Sequence, residues 1–215
     1  DKLIFEEKTE AFTVSIGLSS DEKYYFISTS DHNTSEQYFF NSTSKEHKPK
    51  LIKKRKKGVL YSVNSWKNKF YLHTNENAED FKIDYCEDII KQNWKSFVPA
   101  KNEVLIGGLV FLSDWIIRSE TSNALGKLII RNPKTNDEKH LDFVNEKVIV
   151  PSISLKQKDR KTDEVYLSYS SPKTPSRIYS YNLKTKEKIL IKEQEIPSGH
   201  NPDDYIVERL ECASH

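Results

Sequence analysis

Serine and histidine side chains can act in hydrolytic catalysis. Whether those of this sequence could do so depends on their spacing. A serine hydrolase of the α/β type needs a strained strand-to-helix turn around its nucleophile, written G-x-S-x-G. That pentapeptide does not occur, and the nearest stretch, Gly17-Leu18-Ser19-Ser20-Asp21, lacks the second glycine. We therefore interpret the serines as turn residues and predict no catalytic residue in this chain.

The histidines and cysteines show no spacing typical of a metal site, so we predict no bound metal and no cofactor. The six histidines are interpreted as surface or loop residues: His32, His47, His73, His140, His200 and His215. Cys86 and Cys212 lie far apart in the sequence, and we interpret them as free thiols, buried or half-buried. Free thiols are typical of a reducing compartment, so we expect a cytoplasmic protein.

Two charged stretches are candidates for binding rather than catalysis. Lys53-Lys54-Arg55-Lys56-Lys57 is a basic run of the kind found in nucleic-acid-binding segments. The whole chain has 34 basic and 32 acidic residues, which gives a net charge of only +2. We therefore interpret the run as a solvated hairpin without a nucleic-acid partner. Near the C-terminus, Glu208 and Arg209 are candidates for an interdomain hinge, with Arg209 pairing across a domain boundary.

Composition narrows the class of protein further. The chain has 6 glycines, no methionine and an aspartate at position 1, so we expect an excised piece of a longer protein. Hydrophobic residues make up 36% and aromatic residues 11%, which excludes disorder, collagen, coiled coils and disulfide scaffolds. The longest apolar run, Leu109–Leu112, is far shorter than the ~18 residues that cross a bilayer, so no membrane partner is expected.

Short runs of Tyr, Phe, Ile, Val and Thr are separated by clusters of Asn, Asp, Ser, Lys and Pro along the whole sequence. This pattern is typical of β-strands, and only residues 84–94 are expected to hold a helical turn or two. The connections are too short for parallel crossovers, so the strands are expected to be antiparallel. The predicted fold class is therefore all-β.

Four stretches of the sequence resemble one another, each with a strand, a polar loop and a second strand. They are Tyr24–Phe40, Lys69–Tyr85, Asp114–Arg131 and Glu164–Tyr181. They recur at intervals of about 45 to 50 residues, which is the repeat length of a β-propeller blade. With one further strand before and one after each pair, the prediction is a partial β-propeller of about four blades, near residues 10–54, 58–100, 103–143 and 147–192.

Residues 1–196 are thus assigned to blades, and residues 197–215 to a linker and a strand leading out of the propeller. The linker begins with the turn-rich stretch Pro197–Asp204, and the strand is predicted at Tyr205–Leu210. The alternative fold, a β-sandwich, would not require four similar units at nearly constant spacing. Because an incomplete propeller leaves blade faces uncovered, we expect an open arc of four blades or self-association through those faces.

Several segments together resemble the prolyl oligopeptidase family of serine peptidases, in particular its oligopeptidase B (protease II) branch. The segments that carry the resemblance include Phe12–Gly17, Thr34–Glu36, Tyr61–Ile83, Glu164–Asn182, Lys188–Glu195 and Tyr205–Arg209. The resemblance covers essentially the whole chain. Residues 109–123 and the loop after Ser154 match less well.

The resemblance implies a peptidase in which a seven-bladed propeller covers an α/β-hydrolase domain. The propeller would admit short peptides and exclude folded proteins, and the oligopeptidase B branch cleaves after Lys or Arg. This chain would be the last four blades, without the catalytic Ser, Asp and His, and its partners would be peptide substrates and its own hydrolase domain. The alternative function is a stand-alone propeller that serves as a protein-interaction scaffold.

Overall fold

The computed structural model describes residues 2–210 and 212, and its regular structure is almost entirely β-strand. The strands form four antiparallel four-stranded sheets, and in each sheet they follow one another in sequence order. We refer to these sheets as blades 1 to 4. The prediction of an all-β, antiparallel fold built from four-stranded blades is confirmed.

The strand bounds are as follows, blade by blade. Blade 1 contains β1 (Thr13–Leu18), β2 (Tyr24–Ser30), β3 (Ser35–Asn41) and β4 (Lys50–Lys53). Blade 2 contains β5 (Tyr61–Trp66), β6 (Lys69–Thr74), β7 (Lys82–Cys86) and β8 (Lys95–Val98). Blade 3 contains β9 (Val104–Phe111), β10 (Ile116–Ser122), β11 (Leu125–Arg131) and β12 (Glu138–His140). Blade 4 contains β13 (Val150–Leu155), β14 (Glu164–Ser170), β15 (Arg177–Asn182) and β16 (Lys188–Glu193), and a short 3₁₀ helix follows at Pro202–Asp204.

The chain divides into two compact units, Asp1–Ile106 and Gly107–His215. In the first unit, apolar side chains of blades 1 and 2 form one buried cluster, which includes Phe26, Phe39 and Leu72. In the second unit, Ile117 and Leu128 of blade 3 are buried together with side chains of blade 4. A single four-stranded sheet cannot cover both of its faces, so each unit obtains its core by packing one blade on the next.

Two tight hairpins show how the chain turns with so few glycines. Lys67 and Asn68 connect β5 to β6, and Asn123 and Ala124 connect β10 to β11. All four residues have positive φ angles, between 49° and 63°. A two-residue hairpin with both φ angles positive matches the right-handed twist of the strands, although glycine is usually preferred there. In these two hairpins Lys, Asn and Ala occupy the positions where glycine is usually preferred.

One prediction about local structure is wrong, and another is met by a single turn. Tyr205–Leu210 does not form a strand, because none of the strands among the described residues pairs with it. Turns follow β16, the last strand of blade 4. Alternating side chains favour an extended backbone, but a strand also needs hydrogen bonds from a neighbour. Within residues 84–94, residues 84–86 belong to β7, and the backbone N–H of Gln92 donates to the backbone oxygen of Asp88 at 3.0 Å, which is a single helical turn as expected.

Candidate functional site

The serines nearest to a nucleophile motif lie in the hairpin between β1 and β2. Ser19 Oγ donates a hydrogen bond to Asp21 Oδ1 at 2.9 Å and accepts one from the backbone N–H of Tyr24 at 3.0 Å. Ser20 Oγ accepts a hydrogen bond from Asn64 Nδ2 at 2.9 Å. These hydroxyls close a turn and attach it to blade 2, so their contacts are those of structural turn residues.

His73 does not have the surface or loop position that the sequence suggested. It lies in β6, its Nε2 is 2.7 Å from the backbone oxygen of Ile106, and its ring stacks on Phe81 with centroids 4.7 Å apart. Burial lowers the pKa of His73, although the contact with Ile106 opposes this effect. The neutral imidazole therefore serves as a half-buried hydrogen-bonding group of the first unit.

Arg55 belongs to the basic run at 53–57 but is not a solvated side chain. Its guanidinium donates to Glu36 Oε2 at 2.8 Å and to Glu7 Oε2 at 2.5 Å, and its backbone N–H donates to Glu36 Oε1 at 2.8 Å. The guanidinium carbon also lies 4.3 Å from the centre of the Phe12 ring. The interpretation of this run as a solvated hairpin is therefore wrong for Arg55, which ties the N-terminal segment to blade 1.

The carboxylates around Arg55 are held in their charged form. The hydrogen bond from Arg55 lowers the pKa of Glu7 to about 2. Burial raises the pKa of Glu36, but hydrogen bonds from Arg55 and Tyr38 outweigh burial and leave that pKa below its usual value. A carboxylate stabilised in this way remains an acceptor at every physiological pH, so the cluster is a permanent structural contact.

Glu146 performs a similar task in the second unit, where it lies in the connection between blades 3 and 4. Its carboxylate accepts hydrogen bonds from three hydroxyls of blade 4: Ser171 at 2.5 Å, Thr174 at 2.8 Å and Tyr169 at 3.0 Å. Burial alone would raise the pKa of Glu146. The three hydroxyl donors lower that pKa by more, so it lies below its usual value. Glu146 therefore fastens the interblade connection to the hairpin between β14 and β15.

A third charged cluster lies within blade 3. Arg118 of β10 is 3% exposed. Its guanidinium donates to both oxygens of Glu138 at 2.7 and 2.8 Å, and its Nε donates to Glu120 Oε1 at 2.9 Å. Burial lowers the pKa of Arg118, but the two carboxylates raise it by more, so the side chain stays charged. The sequence reasoning did not identify these residues; the alternation of Arg118 and Glu120 on one face of β10 was the available signal.

The candidate hinge residues Glu208 and Arg209 lie in the C-terminal segment, exposed to solvent. Arg209 Nη2 donates to Asn123 Oδ1 in the β10–β11 hairpin. Earlier in the same segment, His200 Nε2 lies 2.7 Å from the backbone oxygen of Lys173 in the β14–β15 hairpin. The segment therefore lies along the end of the second unit where these two hairpins are found. Pairing of Arg209 with another domain stays a prediction.

A cavity of about 360 Å³ lies under this segment. Residues 145–148 of the interblade connection, Lys173 and residues 205–207 line it. Tyr205 also stacks on His200, with ring centroids 5.1 Å apart. These contacts position the C-terminal segment on the second unit without a strand ladder.

The cysteines differ from one another. Cys86 is buried and Cys212 is exposed, and both are free thiols, so the expectation of burial is wrong for Cys212. Burial raises the pKa of the Cys86 thiol to about 11.

In the part of the chain that the structure describes, no group of His, Cys, Asp and Glu side chains is arranged to hold a metal ion. Within the same residues, no helix is long and apolar enough to cross a membrane.

Comparison with known proteins identifies the family. A family model described as the N-terminal beta-propeller domain of prolyl oligopeptidase matches residues 1–194. The chain belongs to this family. The resemblance inferred from the sequence segments and the fold assignment to propeller blades are therefore both confirmed.

Curated relatives and solved structures agree with this family. The chain is 27% identical over 214 residues to dipeptidyl aminopeptidase BI of Pseudoxanthomonas mexicana. This alignment covers 98% of the present chain and 29% of that protein. The chain is 25% identical over 210 residues to protease 2 of Moraxella lacunata. This alignment covers 98% of the present chain and 30% of that protein. The chain thus spans less than a third of the length of these relatives.

The structural similarity to oligopeptidase B is extensive. The structure of the Trypanosoma brucei enzyme matches 94% of this chain and 30% of that chain, with a TM-score of 0.83 and 20% identity. The Leishmania major enzyme matches 95% of this chain and 30% of that chain, with a TM-score of 0.79 and 17% identity. At this level of identity the similarity establishes the fold alone.

Proposed function

We propose that this chain is the noncatalytic, substrate-filtering propeller segment of an oligopeptidase B-like serine peptidase that cleaves short peptides after Lys or Arg. The observation that carries the proposal is the family match over residues 1–194. It is supported by two relatives that are named as peptidases and are more than three times as long as the aligned region. The catalytic Ser, Asp and His would then belong to an α/β-hydrolase domain outside this chain.

The position of the C-terminal segment supports this proposal. It lies along the end of the second unit that carries the β10–β11 and β14–β15 hairpins, where Arg209 and His200 hold it. A following hydrolase domain would therefore adjoin this end of blades 3 and 4. Glu208 and Arg209 would lie at the junction and act as the hinge, because they belong to the segment that leads out of blade 4.

The experiment compares the isolated chain with the complete gene product that contains it. Both are assayed with blocked peptides that differ only in the residue before the scissile bond, which is Arg, Lys, Ala or Pro. We expect the complete product to cleave after Arg and Lys, with loss of activity after treatment with a serine-directed inhibitor. The isolated chain should cleave none of the peptides. Inhibitor-sensitive cleavage by the isolated chain would contradict the noncatalytic assignment.

The relative named dipeptidyl aminopeptidase BI favours a second candidate, an exopeptidase that releases dipeptides. The two candidates differ in the need for a free N-terminus. An unblocked peptide should be cleaved two residues from its N-terminus by a dipeptidyl aminopeptidase, whereas acetylation of that terminus should abolish the reaction. An oligopeptidase B-like enzyme should accept the acetylated peptide.

The hinge is tested by Arg209→Ala in the complete gene product, with Lys192→Ala in β16 as the control. We expect Arg209→Ala to change kcat and KM together, because a hinge determines how the two domains open and close. Lys192→Ala should leave both parameters unchanged. Unchanged kinetics and unchanged domain closure in Arg209→Ala would rule out the hinge.

Self-association remains part of the proposal for the isolated chain. Val14, Ile16 and Leu18 of β1 are 50%, 58% and 45% exposed. These side chains alternate along one strand and form an apolar surface on blade 1. We expect light scattering to show a mass that rises with concentration, and a monomer at all concentrations would contradict this expectation.

A further inference from the structure

A cavity of about 440 Å³ lies in the second unit, where the interblade connection runs beside the first residues of β11. A Cβ on Gly126 would lie 2.7 Å from Cδ of Pro151, so β11 and β13 approach each other closely at this place. The apolar lining of the cavity includes Leu125, Leu141, Phe143, Val144, Ile149 and Pro151. A concave site of this volume with a mainly apolar lining is typical of sites for small ligands.

The acidic side chains of the lining already have hydrogen-bond donors. Asp142 Oδ1 lies 2.9 Å from Nδ1 of His140, and the side chain of Asp142 is mostly exposed to solvent. Glu146 accepts hydrogen bonds from the three hydroxyls of blade 4. Neither carboxylate therefore depends on a cation from the cavity.

The basic side chains of the lining lack such partners. Lys127 of β11 is half-buried, and Lys147 of the interblade connection is exposed. Glu120 lies opposite Lys127 in the register of β10 and β11, but its carboxylate accepts a hydrogen bond from Arg118 Nε at 2.9 Å. The residues that the structure describes offer neither lysine ammonium group an ion pair or a hydrogen bond. The cavity thus combines an apolar surface with positive charge that an anion would stabilise.

We propose that this cavity binds the C-terminal residue of a short peptide. The α-carboxylate would lie at Lys127 and Lys147, and an apolar side chain would lie against the apolar lining. A carboxylate next to an apolar group complements this lining, and a peptide that ends in an apolar residue carries both groups.

The place of the cavity in the fold agrees with this occupant. It opens beside the β10–β11 hairpin, at the end of the second unit where Arg209 and His200 hold the C-terminal segment. In the proposed peptidase this end adjoins the following domain, so a peptide bound there would lie between the two domains. The inference rests on the proposed function and adds to it a preference for short peptides with a free, apolar C-terminus.

The first test measures binding to the complete gene product by fluorescence anisotropy. The probe is a five-residue peptide that ends in leucine, has a fluorophore on its N-terminus and contains neither Lys nor Arg. Because it lacks a residue after which the proposed peptidase cleaves, binding is measured without turnover. Two matched probes end in leucine amide or in glycine, and they lack the negative charge or the apolar side chain.

We expect Lys127→Gln and Lys147→Gln each to raise the Kd of the leucine probe about threefold, because each removes one ion pair near the surface. Amidation of the probe should raise its Kd about tenfold, which is the product of these two effects. Lys139→Gln is the matched control, because Lys139 is an exposed residue of β12 that does not line the cavity. The difference between the acid and amide probes should shrink at 1 M salt, where the Debye length is about 3 Å.

The second test measures cleavage of peptides that contain one arginine and end in leucine or leucine amide. The measured quantity is kcat/KM of the free acid divided by that of the amide. Wild type and Lys139→Gln should prefer the free acid about tenfold, and each of the two cavity variants should prefer it about threefold. A purely structural disturbance would lower kcat/KM for both peptides equally and leave the ratio unchanged.

The outcomes separate this site from the function on which it rests. If wild type binds the acid and amide probes equally, or if both cavity variants match Lys139→Gln, the site is refuted, and cleavage after arginine still decides the peptidase function. If the probes bind as expected but no peptide is cleaved, the peptidase function is refuted and the peptide-binding site stands.

A competitor distinguishes a peptide C-terminus from a small carboxylic acid. If sodium hexanoate displaces the probe as effectively as the unlabelled leucine peptide does, the assignment to a peptide C-terminus is overturned. Thermal unfolding shows whether each variant folds. Since Lys127 lies in β11 and Lys147 in the interblade connection, a folding failure of one variant leaves the other to decide.

Discussion

Gly107 and Gly108 are neighbours in β9, and their replacement by alanine is expected to have different effects. A Cβ on Gly107 would lie 2.0 Å from Oγ, 3.0 Å from the backbone oxygen and 3.2 Å from Cβ of Ser119. Rotation of the Ser119 side chain relieves the first contact. The other two atoms are fixed to the backbone of β10, so the two strands must move apart by a few tenths of an ångström.

The magnitude follows from two opposing effects. Overpacking of this kind costs about 1–3 kcal/mol. Replacement of glycine by alanine also reduces the entropy of the unfolded chain and stabilises the protein by about 0.4–1 kcal/mol. Gly107→Ala should therefore lower the free energy of unfolding by about 1–2 kcal/mol. A Cβ on Gly108 meets no atom within 4 Å, so Gly108→Ala should be neutral or slightly stabilising.

Urea unfolding followed by tryptophan fluorescence measures both variants in the same protein. The expected result is a lower midpoint for Gly107→Ala at an unchanged m value, with the midpoint of Gly108→Ala at or above that of wild type. The double variant Gly107→Ala, Ser119→Gly should recover part of the loss, because it removes Ser119 Cβ and Oγ. Equal midpoints for the two alanine variants would refute the steric argument.

Further predictions concern the charged clusters, a hairpin and the thiols. Arg118→Met should lower the free energy of unfolding by about 3–5 kcal/mol in the urea experiment, because it removes the buried guanidinium that pairs with the buried Glu120 carboxylate and with Glu138. Glu146→Gln should cost about 1 kcal/mol at pH 7. That difference should shrink as pH falls below the usual carboxyl pKa of 4.5, because the lowered pKa of Glu146 stabilises the fold only while the carboxylate is charged. Ala124→Gly should raise the free energy of unfolding by about 0.5 kcal/mol, since glycine adopts the φ of 56° without strain. Iodoacetamide should label Cys212 in the folded protein and label Cys86 only after unfolding, as mass spectrometry of tryptic peptides would show.

Much of the fold was predictable because β-strand signals are local. The predicted strand pairs at Tyr24–Phe40 and Lys69–Tyr85 coincide within one residue with β2–β3 and β6–β7. Similar segments recur at intervals equal to the length of a propeller blade, and this recurrence predicts the blade architecture. Each blade needs the same pattern of two middle strands rich in apolar residues. The predicted blade limits and the assignment of the last residues to a linker remain predictions.

The charged contacts could not be predicted because they join residues that are distant in the sequence. Arg55 looked like one of five basic residues in a run, yet Glu7 and Glu36 surround it in the fold. Nothing local distinguishes it from Lys56 or Lys57, which are exposed. The partner of a charged side chain is decided by which loops meet at the end of a blade.

The amino-acid sequence alone determined the all-β class and the four-strand repeat, because strand periodicity and turn chemistry act over a few residues. The resemblance of several sequence segments indicated the family. The tertiary structure alone decided the burial of Arg118, the exposure of Cys212 and the lack of a strand at Tyr205–Leu210. These features depend on packing and on hydrogen-bond partners far away in the chain, and a one-dimensional pattern carries no information about which partner is present.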